Sequence, residues 1–136
     1  MSHWLPAGFV APAGTSVPYG HRLRPVRLSD GPRLCVAVAG LHLADAERLL
    51  RERLGEMERR TAYTFALLDN DETAVLGEVR LAPGSTVGSD AEVTWWVVPE
   101  CVGTDLARAV DELVPAWVAA AWPFTTPSLA LTRGEC

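Results

Sequence analysis

Three apolar runs, Tyr63–Leu68, Ala74–Leu81 and Ala91–Val98, follow one another with only turn-forming stretches between them. Runs of this length bounded by Asp, Asn, Gly and Ser read as strands, and Asp69-Asn70-Asp71-Glu72 between the first two is hairpin grammar. A chain containing them is committed to a sheet with an antiparallel pair near its centre. The third run is apolar on both faces at Trp95-Trp96-Val97-Val98, which places it in the middle of that sheet, covered on both sides.

The rest of the chain supplies the cover. His21 to Arg27 alternates polar and apolar residues and reads as an edge strand, because Pro25 has no N–H to give a central ladder. Ser29-Asp30-Gly31-Pro32 offers a cap and a first-turn proline, predicting a short helix from Pro32 to about Ala39. From a cap at Asp45, Ala46, Leu49, Leu50, Leu54 and Met57 recur at helical spacing, predicting a helix to about Arg60. After the third strand, Leu106, Val110, Leu113, Val114, Trp117, Val118 and Ala121 form one stripe of a packing helix, with Pro115 inside it as a kink. Ser128 to Thr132 has room for one short strand. Residues 1–18, rich in Pro, Gly and Ala, read as an extended leader ordered through Trp4 and Phe9, and 19–136 as a single domain. The order is α+β, with a mostly antiparallel twisted central sheet flanked by helices.

Composition narrows the function classes. The formal charge of −5 and pI near 5.1 oppose nucleic-acid binding. Arg48, Arg51, Arg53, Arg59 and Arg60 cluster, but Glu47, Glu52, Glu56 and Glu58 interleave with them, as on a solvated helix face. All 12 basic residues are arginines, so a lysine nucleophile is excluded. The three cysteines and three histidines are scattered, without a disulfide or metal-ligand spacing. No apolar run approaches the roughly 18 residues of a membrane span. Pro6, Pro12 and Pro18 break any signal-peptide core, so the expected location is the cytoplasm.

The segment Thr94 to Leu106, TWWVVPECVGTDL, joins the central strand to the packing helix through a glycine turn. Together with FALLDNDETAVLGEV and the tail WPFTTP, it resembles a group of actinobacterial GNAT-like proteins. The whole order resembles the core of the GNAT superfamily of N-acyltransferases, shortened at the C-terminus. The resemblance spans about Leu5 to Pro127. It implies acetyl-CoA or another acyl-CoA as cofactor, no metal, and a small-molecule amine as acceptor. In that superfamily the loop follows the pattern Arg/Gln-x-x-Gly-x-Gly/Ala, which falls here on Glu100, Gly103 and Asp105. It further implies that the end of the strand at Val97 and Val98 pairs with the pantetheine arm, and that Val102, Gly103 and Thr104 hold the diphosphate at a helix N-terminus. Glu100 and Asp105 bring negative charge to that loop, and Asp105 is equally at home as a first-turn acid behind a Thr104 cap.

Glu78 and Glu92 stand on the two neighbouring strands where such enzymes place a base, and apolar neighbours such as Trp95 or Trp96 raise a carboxyl pKa. Their other reading is as solvent-facing strand residues paired with Arg80 or Arg24. His21, on the first strand, is a third acid–base candidate. Cys101 near the turn is placed for a reactive thiol, which adjacent Glu100 opposes. Trp95, Trp96, Trp117 and Trp122 read as core. Two other functions fit the same residues: a shell that has lost coenzyme A and serves a biosynthetic pathway as an accessory or cyclising protein, and a non-catalytic module dimerising through a sheet edge.

Overall fold

The computed structural model describes residues 4–85 and 87–131. Its centre is a six-stranded sheet in sequential order: β1 (Thr15–Val17), β2 (His21–Pro25), β3 (Tyr63–Leu68), β4 (Val75–Pro83), β5 (Ala91–Val97) and β6 (Pro127–Leu131). Four neighbouring pairs are antiparallel and the last, β5 with β6, is parallel. The three apolar runs are β3, β4 and β5, joined by tight connections that permit only antiparallel pairing.

Helices α1 (Gly31–Ala37) and α2 (Leu43–Arg59) cover one face, where Leu34, Ala46 and Leu50 pack on Ala66, Leu68 and Val75. Helix α3 (Asp105–Ala121) covers the other, and its Val110, Val114, Trp117 and Val118 meet Phe65, Val79, Leu81, Val93 and Trp95. Each large apolar side chain buried there contributes roughly 1.5–3 kcal/mol relative to exposure. Pro115 lies inside α3, as expected.

The leader is anchored as its aromatics foretold. Trp4 stacks on Phe124 with ring centroids 5.5 Å apart, and Phe9 meets Trp122 at the same separation. The Trp4 indole donates to the Arg60 carbonyl at 2.9 Å, and Arg60 returns a bond to the Phe9 carbonyl at 2.7 Å. The sheet, however, begins before Tyr19. Thr15–Val17 pairs with β2, so β2 is not an edge strand. Pro25 is still tolerated, because pairing with β1 stops at Leu23. The three residues of β1, closed in by Gly14 and Pro18, are too few to show a period in sequence.

Two caps also differ from expectation. Helix α2 starts at Leu43 with His42 as its N-cap, and Asp45 instead pairs with Arg48 at 3.0 Å within the first turn. Asp30 precedes α1 without capping it, because its carboxylate is held by Arg24, Arg33 and the Arg27 N–H. The WPFTTP tail bends over Asp90, whose carboxylate accepts from the N–H groups of Thr125 at 2.6 Å and Thr126 at 3.1 Å. That clamp leads the chain into β6 alongside β5, aligning Ala91 with Pro127. Thr132 lies outside the described residues.

Candidate functional site at the end of the central strand

Pairing between β5 and β6 runs from Ala91 to Trp95 among the described residues. Past Trp95, β5 continues alongside β4, where Gly77 and Glu78 face Val97 and Trp96, and the Val98 N–H donates to the Leu76 carbonyl at 2.9 Å. Strand alternation then turns the N–H and C=O of Val97 to the side away from β4.

Immediately beyond lies the glycine turn. Pro99–Cys101 forms one 3-10 turn, and Gly103 takes φ +81°, a left-handed conformation costly to any residue with a Cβ. No atom lies within 4 Å of where a Gly103 Cβ would stand, so the space above the turn is open. The Thr104 hydroxyl caps α3 by accepting from the Ala107 N–H at 3.3 Å, and donates to the Cys101 carbonyl at 2.5 Å. The Val102 and Thr104 N–H groups are taken by the carbonyls of Pro99 and Cys101. The N–H groups of Gly103, Asp105 and Leu106 make no hydrogen bond within the described residues. Three free donors at the positive end of a 17-residue helix form a cradle for an anion.

The two acids of the loop are less opposed to that role than the sequence implied. Asp105 is bound by Arg108 one turn along α3, and Arg108 also donates to the Gly103 carbonyl at 3.3 Å. A guanidinium therefore stands beside the cradle and offsets one carboxylate. Glu100 is exposed in the 3-10 turn. Burial, and then Glu100, push the Cys101 thiol above its ordinary value, so it is not a thiolate nucleophile at neutral pH.

Glu78 projects to the opposite face, under α2. It is the cross-strand partner of Trp96, and its neighbour on β3 is the small side chain of Ala66. Burial pushes its carboxyl above the ordinary range, against the pull of Arg53, a hydrogen bond from the Trp96 indole and the charge of Arg80, while Asp30 adds to the rise. It forms no salt bridge among the described residues. Arg80 is instead bound to Glu56 of α2 at 2.8 Å, and Arg24 to Asp30 and Glu72. A carboxyl whose pKa is raised by burial, beside the end of β5, has the character of an acid–base group.

The other two candidates stand elsewhere. Glu92 shares the face of Glu78 but lies four residues before Trp96 on β5, about 13 Å along the strand. It accepts from the Ser85 hydroxyl at 3.1 Å. His21 lies at the start of β2, opposite Val17, with Nδ1 3.1 Å from the Pro18 carbonyl. It borders a groove of about 470 Å³ along β1 and β2, two strands from Glu78. Glu78 thus lies beside Trp96 near the end of β5, on the face opposite the cradle, and Glu92 and His21 stand farther from that end.

Sequence reading missed Arg53, Glu56 and Arg80. Arg53 and Glu56 fall seven residues after Ala46 and Leu49, on the stripe of α2 that faces the sheet, and that spacing was the available signal. Trp117 and Trp122 are core, in edge contact with each other and with Phe65. Among the described residues no His, Cys, Asp and Glu group is placed to hold a metal, and no helix is long and apolar enough to cross a membrane.

No protein-family model matches the sequence, and no curated protein matches it. Solved structures do match the fold. The ribosomal-protein-S5-alanine acetyltransferase of Vibrio fischeri superposes with a TM-score of 0.57 at 12% identity, over 79% of this chain and 67% of that one. RimJ of Mycobacterium smegmatis, solved with CoA-disulfide, gives 0.57 at 17% identity over 79% and 61%. The microcin C7 self-immunity acetyltransferase MccE, solved with acetyl-CoA and AMP, gives 0.59 at 13% identity over 82% and 70%. The chain thus spans between about three fifths and seven tenths of these proteins. Its α+β architecture is the GNAT fold of the N-acyltransferases.

Proposed function

We propose that this chain is an N-acyltransferase that takes an acyl group, in the simplest case acetyl, from acyl-CoA and passes it to the amine of a small molecule. The observation that carries the reading is the set of N–H groups at Gly103, Asp105 and Leu106 that make no hydrogen bond among the described residues, just past the end of β5. The donor chemistry fits a diphosphate, which needs several N–H groups converging from one side. Val97, with its amide turned from β4, is suited to the amide-bearing arm of the cofactor. Val98 is less so, since its N–H is already given to Leu76. Of Val102 and Thr104, the first contributes an exposed side chain and the second the helix cap. Bound acyl-CoA supplies an acyl carbonyl activated as a thioester.

The protein's own contribution is position and a proton acceptor. Glu78 faces α2 while the cradle opens beside α3, so a ligand that engages both has to pass the end of β5. An ionised Glu78 takes the proton from the acceptor ammonium, leaving the neutral amine that nucleophilic attack requires. Such a group works best with a pKa drawn up towards neutrality, the direction in which burial moves Glu78. The reading places the chain in the cytoplasm, where acyl-CoA is available.

The test is incubation of purified protein with acetyl-CoA and a panel of primary amines, following thiol release and the mass of the product. Thiol release that depends on an amine and produces its acetyl derivative supports the reading. Release at the rate of spontaneous hydrolysis with every amine removes it.

A further inference from the structure

Beneath α2 a group of polar side chains is only partly satisfied. Arg80 donates to Glu56 at 2.8 Å, and Arg53 stands 3.8 Å from the other oxygen of the same carboxylate. Of the buried side-chain polar atoms without a hydrogen bond among the described residues, four gather here, Nε of Arg53, Nε of Arg80, Oε1 of Glu56 and Oγ1 of Thr64, while the other two, Nε of Arg33 and Nε1 of Trp122, stand singly elsewhere. Thr64 is 1% exposed and is the cross-strand partner of Arg80. Glu78 lies two residues from Arg80 on the same face of β4, within the field of both arginines.

Native interiors seldom leave several buried donors unmet side by side, and such a concentration marks a place built to receive something polar. The contrast with the neighbouring network is informative. Arg24 is just as charged and more deeply buried, yet Asp30, Glu72 and the Pro25 carbonyl bind its guanidinium. The cluster under α2 also has the right charge. Two guanidiniums share the one carboxylate paired to them, Glu56, and each keeps an unmet Nε donor, so the cluster has donors to spare for a second carboxylate. Arg53, Glu56 and Arg80 each keep about a quarter to a third of their side-chain surface exposed, so the cluster is reachable from solvent.

We propose that this cluster is the acceptor site, and that the acceptor is a small amino acid whose carboxylate is received by Arg53 and Arg80 while its amine lies against Glu78. The inference rests on the acyl-transfer reading for the role of the amine, but the binding it predicts needs no cofactor. Residues two apart on a strand stand about 6.7 Å from each other. Side chains at that spacing on one face are near enough for a single small zwitterion to touch both. Guanidinium is also the side chain best matched to a carboxylate, by its planar array of donors.

The experiment is calorimetric titration of the full chain, without coenzyme, against a panel of α- and β-amino acids, their carboxamides and the corresponding decarboxylated amines. The expected result is that at least one amino acid binds and that its carboxamide and decarboxylated amine bind about tenfold or more weakly. Arg53→Gln and Arg80→Gln each collapse that ratio towards unity. Arg53→Gln is the safer variant because its ion pair is the longer, and circular dichroism confirms that both remain folded. Absence of binding by every amino acid at millimolar concentration overturns the inference, as does equal binding of amino acid and decarboxylated amine, or a preference that survives both substitutions. A parallel titration with acetyl-CoA separates the two claims. Amino-acid binding without coenzyme binding removes the acyl-transfer reading and leaves this site standing. Coenzyme binding and turnover of amines that lack a carboxylate, without amino-acid binding, remove only the inference drawn here.

Discussion

Glu78 and Trp96 are cross-strand partners on the α2 face, one residue past the last β5–β6 pair among the described residues. The pair links a proton-accepting group to the strand end that borders the glycine turn. Glu78→Gln keeps the shape and removes the base, so the acyl-transfer rate falls by about 10²–10⁴ while coenzyme affinity is unchanged. Steady-state kinetics with a fixed acceptor, alongside calorimetry, checks both halves.

The same carboxyl makes a stability prediction. Its folded pKa is raised above the reference of 4.5, so its contribution is fully present below that pH and is lost as pH rises through the folded value. Wild type therefore loses stability relative to Glu78→Gln as pH climbs above 4.5, and the gap closes below it. Urea unfolding of both proteins across this range measures the gap directly. A gap that widens towards acid contradicts the assignment.

Arg24 and Asp30 give the opposite sign. Burial raises the Asp30 carboxyl, but hydrogen bonds from Arg24, Arg33 and the Arg27 N–H outweigh it and hold it below 3.8. Its contribution is present above 3.8 and lost as pH falls through the folded value. Asp30→Asn leaves the buried Arg24 guanidinium with Glu72 as its remaining acidic partner and costs roughly 1.5–3 kcal/mol at neutral pH. Denaturant melts at neutral and acid pH test this, the difference from wild type shrinking in acid.

Arg108 holds Asp105 at the mouth of the cradle. Arg108→Gln frees a carboxylate next to a bound phosphate, at a cost of about 1 kcal/mol in water-like dielectric, or about fivefold in coenzyme affinity. Asp105→Asn in the same background restores the affinity. Calorimetry on the two variants decides, and an unchanged affinity in Arg108→Gln places the phosphates elsewhere.

Asp90 fastens the bend that leads into β6. Asp90→Ala removes both acceptors, and amide hydrogen exchange rises across Pro127–Leu131 while β3 and β4 stay protected. Uniform protection throughout the sheet denies Asp90 this role.

Much of this architecture was legible because its signals are local. β3 begins and ends at the predicted residues, β5 within one, and α3 starts behind its threonine cap. The misses have a common cause, which is that the deciding partner is distant in sequence. Asp30 reads as a helix cap until Arg24 and Arg33 draw its carboxylate away. Arg53 and Glu56 read as solvated charges until β4 brings Arg80 beneath them. β1 is three residues long and is a strand only because β2 lies beside it. At the glycine turn, Glu100 and Asp105 read as opposing charge, while Arg108, one helical turn from Asp105, is within reach of the i,i+3 spacing that pairs them.

The central claim is that the turn at Gly103 binds the diphosphate of an acyl-CoA, and the measurement closest to it is calorimetric titration of wild type and Gly103→Pro with acetyl-CoA. Proline removes one free N–H and cannot adopt φ +81°, while the turn has open space around it and the sheet lies away from the change. Micromolar binding by wild type, lost in a Gly103→Pro protein with unchanged circular dichroism, is the predicted result. No binding by wild type at millimolar acetyl-CoA, or equal binding by both proteins, contradicts it.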